Sequence, residues 1–284
     1  MQKTFGETFE INGIGLHSGL PSKMTFYPAE ADSGIVFVRA DLPHKPEFKA
    51  VYSQVADTRN CTCLGNAQKE IVSTIEHIMA ALYILGVDNA RIEVTNPETP
   101  IMDGSAEVFY EQLKKVPLKE LPVKRKYLKV LREVEFCDGK GAKVVLKPGE
   151  GLHIHFTIDF PSKIVGHQEF DGVIDEAVFA SEIAPARTFC EKYQVDYLRS
   201  IGLIKGGSLE NAVVLDGEKI LNEGGFRVAN EAVNHKVLDC IGDMYTAGYR
   251  LLADVTAEKS GHFHNNEVLK KLFSEPDNYQ IVEE

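Results

Sequence analysis

Two stretches of this chain carry the same plan, and a repeated plan limits the possible folds more than any single motif. Leu85-Gly86 leads into an alternating run at 90–94, and Ala247-Gly248 leads into another at 251–255, so helix, glycine stop and strand recur in that order. Each copy continues through a glycine turn into a helix with a Glu-Val pair, Glu107-Val108 in the first and Glu267-Val268 in the second. The echo is short and gapped, and two unrelated α+β halves can also show one, so both explanations stand at this level. The reading adopted is an internal duplication, in which each copy is a layered unit with an apolar face to bury. The expected fold is α+β: two similar layered β/α domains, residues 1–122 and 123–284, packed with helices between two sheets.

Up to about residue 52 the chain reads as short strands broken at Asn12-Gly13, Ser18-Gly19 and Ser33-Gly34. Ile75, Ile78, Met79, Leu82 and Leu85 then fall at helical spacing ahead of Gly86, which predicts a helix over 73–86. Further on, the pattern predicts a helix over 105–115, a linker over 116–122, hairpin strands over 127–136, 142–146 and 152–160, and a long helix from about residue 230. With 44% hydrophobic and 26% charged residues, the composition is that of a globular protein with a large core. A net charge of −11 argues against a nucleic-acid-binding surface. No run reaches the 18 or so apolar residues of a membrane span, and the first residues lack an apolar signal core. No stable membrane insertion is therefore expected, and the cytoplasm is the expected compartment. The five cysteines, at 61, 63, 137, 190 and 240, read as reduced thiols, since their spacing suits neither a disulfide framework nor a zinc knuckle.

The helix near residue 230 carries candidate chemistry. His235, Asp239 and Asp243 stand at i, i+4 and i+8 along one face, while Val233, Val237, Ile241 and Met244 line the opposite one. An imidazole and a carboxylate one turn apart can share a divalent cation, with a third protein ligand leaving a position open for water. A solvated amphipathic helix shows the same stripe, so the third ligand decides between the two readings. If the halves are duplicates, their equivalent helices can face each other, and His77, which lies off the apolar stripe of its helix, is the natural third ligand. Glu76 beside it can take a proton from an attacking water, although Ser73-x-x-Glu76 also fits a capping box. Lys259-Ser260-Gly261-His262 follows a strand and either presents His262 into a cleft, with Asp243 as its carboxylate partner, or forms a surface turn. His153 and His155 share one strand face and read as a surface feature.

Taken together, Thr74-Ile75-Glu76-His77, Ile101-Met102-Asp103-Gly104-Ser105, Ala186-Arg187-Thr188-Phe189, Gly206-Gly207-Ser208, His235-Lys236-x-x-Asp239-x-x-Gly242-Asp243 and Lys259-Ser260-Gly261-His262 resemble the UDP-3-O-acyl-N-acetylglucosamine deacetylase family. Each motif is weak alone, but their order from Thr74 to His262 is specific. The resemblance implies a zinc-dependent amidohydrolase of lipid A biosynthesis in Gram-negative bacteria. Such an enzyme removes the N-acetyl group of a UDP-linked, 3-O-acylated glucosamine and releases acetate, the committed step of the pathway.

Carried over by motif, His77, His235 and Asp239 hold one Zn2+, and Fe2+ suits the same ligands. Glu76 is the implied general base toward water at the metal, His262 the protonated general acid, Thr188 an oxyanion stabiliser and Asp243 the support of His262. Lys236 and Lys259 are assigned polar or phosphate contacts, and Asp159 and Phe160 the sugar-nucleotide side. The segment 189–204, beginning with Phe189 and containing Tyr193, Val195, Tyr197, Leu198, Ile201 and Leu203, is assigned to an apolar passage for the acyl chain, an ordinary core helix being the alternative. Asn234 departs from the family, which commonly has Arg there. Cys61 and Cys63 read as buried small residues, with a second ion near the His77 helix as the alternative. The chain is expected to be monomeric, with the nucleotide-linked sugar as its partner.

Overall fold

The computed structural model describes residues 1–283. In the first sheet the strands run in the order Phe9–Ile14, Pro21–Tyr27, Ala90–Val94, Ile35–Arg39 and Glu47–Lys49. Its central strand, Ala90–Val94, is antiparallel to Pro21–Tyr27 and parallel to Ile35–Arg39. The second sheet contains the order Val134–Cys137, Lys143–Pro148, Arg250–Glu258, Leu152–Asp159 and His167–Val173. Here too the central strand, Arg250–Glu258, is antiparallel to the strand before it in the order, Lys143–Pro148, and parallel to the one after it, Leu152–Asp159, while its first residues also pair in parallel with Lys126–Val130. The gapped sequence echo is therefore the trace of a complete repeat of strand order. Parallel neighbours need a long crossover, and in each unit that crossover contains the helix that precedes the central strand.

Among the described residues the α-helices are, in chain order, α1 (Glu76–Leu85), α2 (Glu107–Leu113), α3 (Glu176–Val178), α4 (Lys192–Ser200), α5 (Glu231–Tyr245) and α6 (His262–Ser274). Helix α1 stops where expected: Gly86 takes φ of 71° and its N–H closes on the Leu82 and Tyr83 carbonyls, a left-handed stop that glycine adopts at little cost. Its start differs from the capping-box alternative. The helix begins at Glu76, and the Glu76 carboxylate accepts a hydrogen bond from the Thr62 N–H instead of closing back on Ser73.

Two other expectations are corrected. The run over 127–136 is two strands, because exposed Leu131, Arg132 and Glu133 break it. Lys126–Val130 pairs with Arg250–Glu258 and Tyr279–Glu283, whereas Val134–Cys137 pairs with Lys143–Pro148. The segment read as a linker contains a strand, Leu118–Glu120, which pairs with Lys3–Phe5. On Leu152–Asp159, side chains alternate between buried and half-exposed, and His153 and His155 fall on the outer face beside Asp171.

Helices α1 and α5 pack against each other, and α5 also packs on the second sheet. Apolar residues of both sheets and both helices form one continuous core. Along α5 every residue except Lys236 is buried, as are residues 76–83 of α1. The helices press together at Gly242, where a Cβ would run into the Glu76 carbonyl oxygen. No side chain fits there without parting the helices. Gly242→Ala is therefore expected to lower unfolding free energy by about 1–3 kcal/mol and to reduce metal retention, measured by urea unfolding and metal analysis. Wild-type values in both would show that the helices do not approach this closely.

Candidate active site

The contact between α1 and α5 places His77, His235 and Asp239 around one point, with one donor atom of each lying within 4.8 Å of the others. His77 Nε2 and His235 Nε2 are each 3.5 Å from Asp239 Oδ1, and the two rings meet edge to face at 5.1 Å. His235 Nδ1 lies 3.0 Å from the Ala186 carbonyl. A carbonyl only accepts, so Nδ1 carries the proton and the Nε2 lone pair faces Asp239. Burial pushes the His235 imidazole down to about 3, which keeps it neutral. Although burial opposes it, the Lys236 ammonium 2.6 Å from Oδ2, together with His235, holds the Asp239 carboxyl well below the usual range. Two imidazoles and a carboxylate with converging donor atoms are a ligand set that suits a divalent cation such as Zn2+.

A second group overlaps the first: Glu76, Asp239 and His262 also bring donor atoms within 4.8 Å. Burial raises the Glu76 carboxyl above its ordinary value. His262 opens α6 and places Nδ1 2.8 Å from Asp243 Oδ2, with Nε2 4.0 Å from Asp239 Oδ2. Burial disfavours the imidazolium, but Asp243 and Asp239 outweigh it and raise His262 to about 9. Asp243 also accepts from Thr62 Oγ1 at 2.5 Å and Asn265 Nδ2 at 2.9 Å.

Thr188 belongs to the wall of the cavity that Glu76, Asp239 and His262 share. Its N–H donates to the Gly104 carbonyl and its own carbonyl accepts from Val213 N–H, both at 2.8 Å. The preceding Arg187 is anchored by a buried ion pair to Glu231 at the start of α5. One short segment thus sets both the His235 tautomer, through Ala186, and the position of Thr188.

Thr188, Glu76, His77, His235, Asp239 and His262 line a cavity of about 630 Å³. Away from them its wall is largely apolar, with Leu16, Ile101, Phe189, Val195, Leu198 and Ile204. The sequence reading of 189–204 is corrected in detail. Val195 and Leu198 line the cavity and Tyr197 its margin, but Tyr193 and Ile201 turn to solvent and Leu203 is not in the wall. Leu16, Ile101 and Leu221, far from that segment in sequence, were not anticipated.

The remaining candidates fall into three places. Lys236 lies in the cavity with its ammonium on Asp239. Phe160 stacks edge-on against Phe189 with ring centres 5.2 Å apart, at the cavity's margin. Lys259 pairs with Asp159 at 2.7 Å, both half-exposed and neither in the cavity wall. Asn234 donates its side-chain amide to the Ala229 carbonyl at the turn into α5. Cys61 and Cys63 are buried, and burial pushes both thiols up.

Burying carboxylates and imidazoles costs stability, so this concentration of them in the wall of an apolar cavity marks the candidate active site of an enzyme, and the family of the chain gives that enzyme its class, a hydrolase. The family model described as UDP-3-O-acyl N-acetylglycosamine deacetylase matches residues 2–274. The chain belongs to that family. It is 42% identical over 283 residues to the UDP-3-O-acyl-N-acetylglucosamine deacetylase of Bdellovibrio bacteriovorus, covering 100% of this chain and 93% of the relative. Identity to the enzyme of the same name in Shewanella baltica is 43% over 284 residues, and in Pasteurella multocida 41% over 284 residues, each covering 99% of this chain and 92% of the relative.

Proposed function

We propose that this chain is a zinc-dependent deacetylase that hydrolyses the N-acetyl group of UDP-3-O-acyl-N-acetylglucosamine, releasing acetate in the committed step of lipid A biosynthesis in a Gram-negative bacterium. The observation that carries this reading is the convergence of His77, His235 and Asp239 at the head of an apolar cavity, in a chain of this family. Those three residues would hold the cation, and Fe2+ suits the same donors. A cation there supplies Lewis acidity, lowering the pKa of water toward roughly 7 and polarising an amide carbonyl.

The protein's own groups complete the chemistry. Glu76, lifted toward neutrality by burial, takes the proton from water as its oxygen bonds to the acetyl carbon. The Thr188 hydroxyl donates to the oxygen that gains charge. His262, whose Nδ1–H is held by Asp243, carries a second proton on Nε2. That proton passes to the sugar nitrogen as the carbon–nitrogen bond breaks, leaving acetate and an amine. The apolar wall takes the acyl chain, and Phe160, beside Phe189, is assigned to the sugar nucleotide together with the Asp159–Lys259 pair outside the wall. Lys236 is assigned a polar substrate contact in addition to its pairing with Asp239. The reaction is assigned to the cytoplasm, where nucleotide-linked sugars are made, and to a single chain acting as a monomer.

Acetate release from the acylated UDP-sugar and from UDP-N-acetylglucosamine tests the proposal. Each buried methylene is worth about 0.8 kcal/mol, so seating four lifts kcat/KM by about 10²-fold. A ratio near one would remove the acylated substrate.

A further inference from the structure

We infer that Thr62 is a positioning residue that locks the proton acceptor and the proton donor of this reaction into one frame. The inference rests on the roles proposed for Glu76 and His262. Thr62 is 2% exposed and lies between Cys61 and Cys63, 14 residues before Glu76 and 181 before Asp243. Its backbone N–H donates to Glu76 Oε2 at 2.9 Å, and its carbonyl accepts from Ile75 N–H at 3.3 Å. Its hydroxyl donates to Asp243 Oδ1 at 2.5 Å. The other oxygen of Asp243 receives His262 Nδ1 and Asn265 Nδ2.

The arrangement has a direct chemical consequence. With Oε2 held by the Thr62 N–H, Oε1 is the Glu76 oxygen left for proton transfer. With Oδ1 held by the Thr62 hydroxyl, the Asp243 carboxylate cannot rotate, so Oδ2 stays in the plane that sets the His262 ring. Without the hydroxyl, Asp243 loses one of the bonds that orient it, while the backbone bond to Glu76 remains. A residue of one half thereby fixes the angle between catalytic groups carried by α1, α5 and α6. The acceptor and donor act in consecutive proton transfers, and an error of an ångström in either is costly.

Thr62→Val keeps the shape and the backbone bonds and removes the hydroxyl. It is expected to lower kcat about 10-fold or more, with KM within about 2-fold of wild type and metal content unchanged. Thr62→Ser is expected to restore kcat to within about 3-fold, because it restores the donor. In a His262→Ala background the same Thr62→Val change is expected to cost less than about 2-fold, since the group it orients is gone. The inference is overturned if Thr62→Val keeps wild-type kcat, if Thr62→Ser is as impaired as Thr62→Val, or if the full loss persists in the His262→Ala background. The background comparison holds even if Thr62→Val lowers stability. Wild-type kcat in His262→Ala itself would instead remove the role of His262, a result separable from the three above.

Discussion

Glu76→Gln is expected to lower kcat about 10²- to 10⁴-fold while KM and metal content stay near wild type. Glutamine has the shape of glutamate, and its side-chain oxygen can still accept from the Thr62 N–H, so the cluster keeps its form. What it cannot do is take a proton. The pH dependence gives an independent check. Burial lifts the Glu76 carboxyl, so the wild-type rate should fall on the acid side at a higher pH than an exposed glutamate would set, and the variant should lack that limb. On the alkaline side His262 must stay protonated. Asp243 and Asp239, against the effect of burial, raise it to about 9. A cation bound at Asp239 cancels part of that charge, which places the alkaline limb at or below about 9. Profiles of kcat/KM against pH for wild type, Glu76→Gln and His262→Gln decide the matter. Retention of more than a tenth of wild-type kcat by Glu76→Gln would falsify its role as proton acceptor.

Asp239→Ala is expected to abolish metal binding and turnover together. The substitution removes one of three donors and also strips Lys236 of the carboxylate oxygen 2.6 Å from its ammonium. An ammonium left in a mostly buried site without its partner costs a few kcal/mol, so a lower thermal midpoint should accompany the lost metal. Dialysis of wild type against a chelator should silence it without that stability loss from Lys236, and added Zn2+ should restore it. Metal analysis, melting curves and acetate release read the three effects separately. Full activity in chelated protein with no residual metal would exclude a metal centre.

The parts legible in the sequence are those set by local periodicity. The spacing of His235, Asp239 and Asp243 placed them on one buried face of α5, and the repeated plan pointed to His77 on the counterpart helix. Gly86 marked the helix stop because a left-handed residue there needs glycine. The missed features depend on tertiary neighbours. Ser73 and Glu76 have capping-box spacing, yet Thr62 outcompetes the cap for the Glu76 carboxylate. Lys236 is assigned only a polar or phosphate contact from the sequence, because its bond to Asp239 depends on how the side chain folds back in a buried setting. Leu16 and Ile101 show no pattern that separates cavity wall from core, since both are simply apolar residues in loops. Thr62 is a single hydroxyl between two cysteines, and nothing local distinguishes it from a core threonine.

Because the strand order around Ala90–Val94 recurs around Arg250–Glu258, α1 and α5 are counterparts, yet one brings Glu76 and His77 and the other His235 and Asp239. Two free-standing units of this kind would have to collide before four such groups could gather. Covalent tethering makes that collision intramolecular, at an effective concentration on the order of millimolar. Dilution therefore cannot scatter the gathered groups, and neither half needs to carry a complete set of its own.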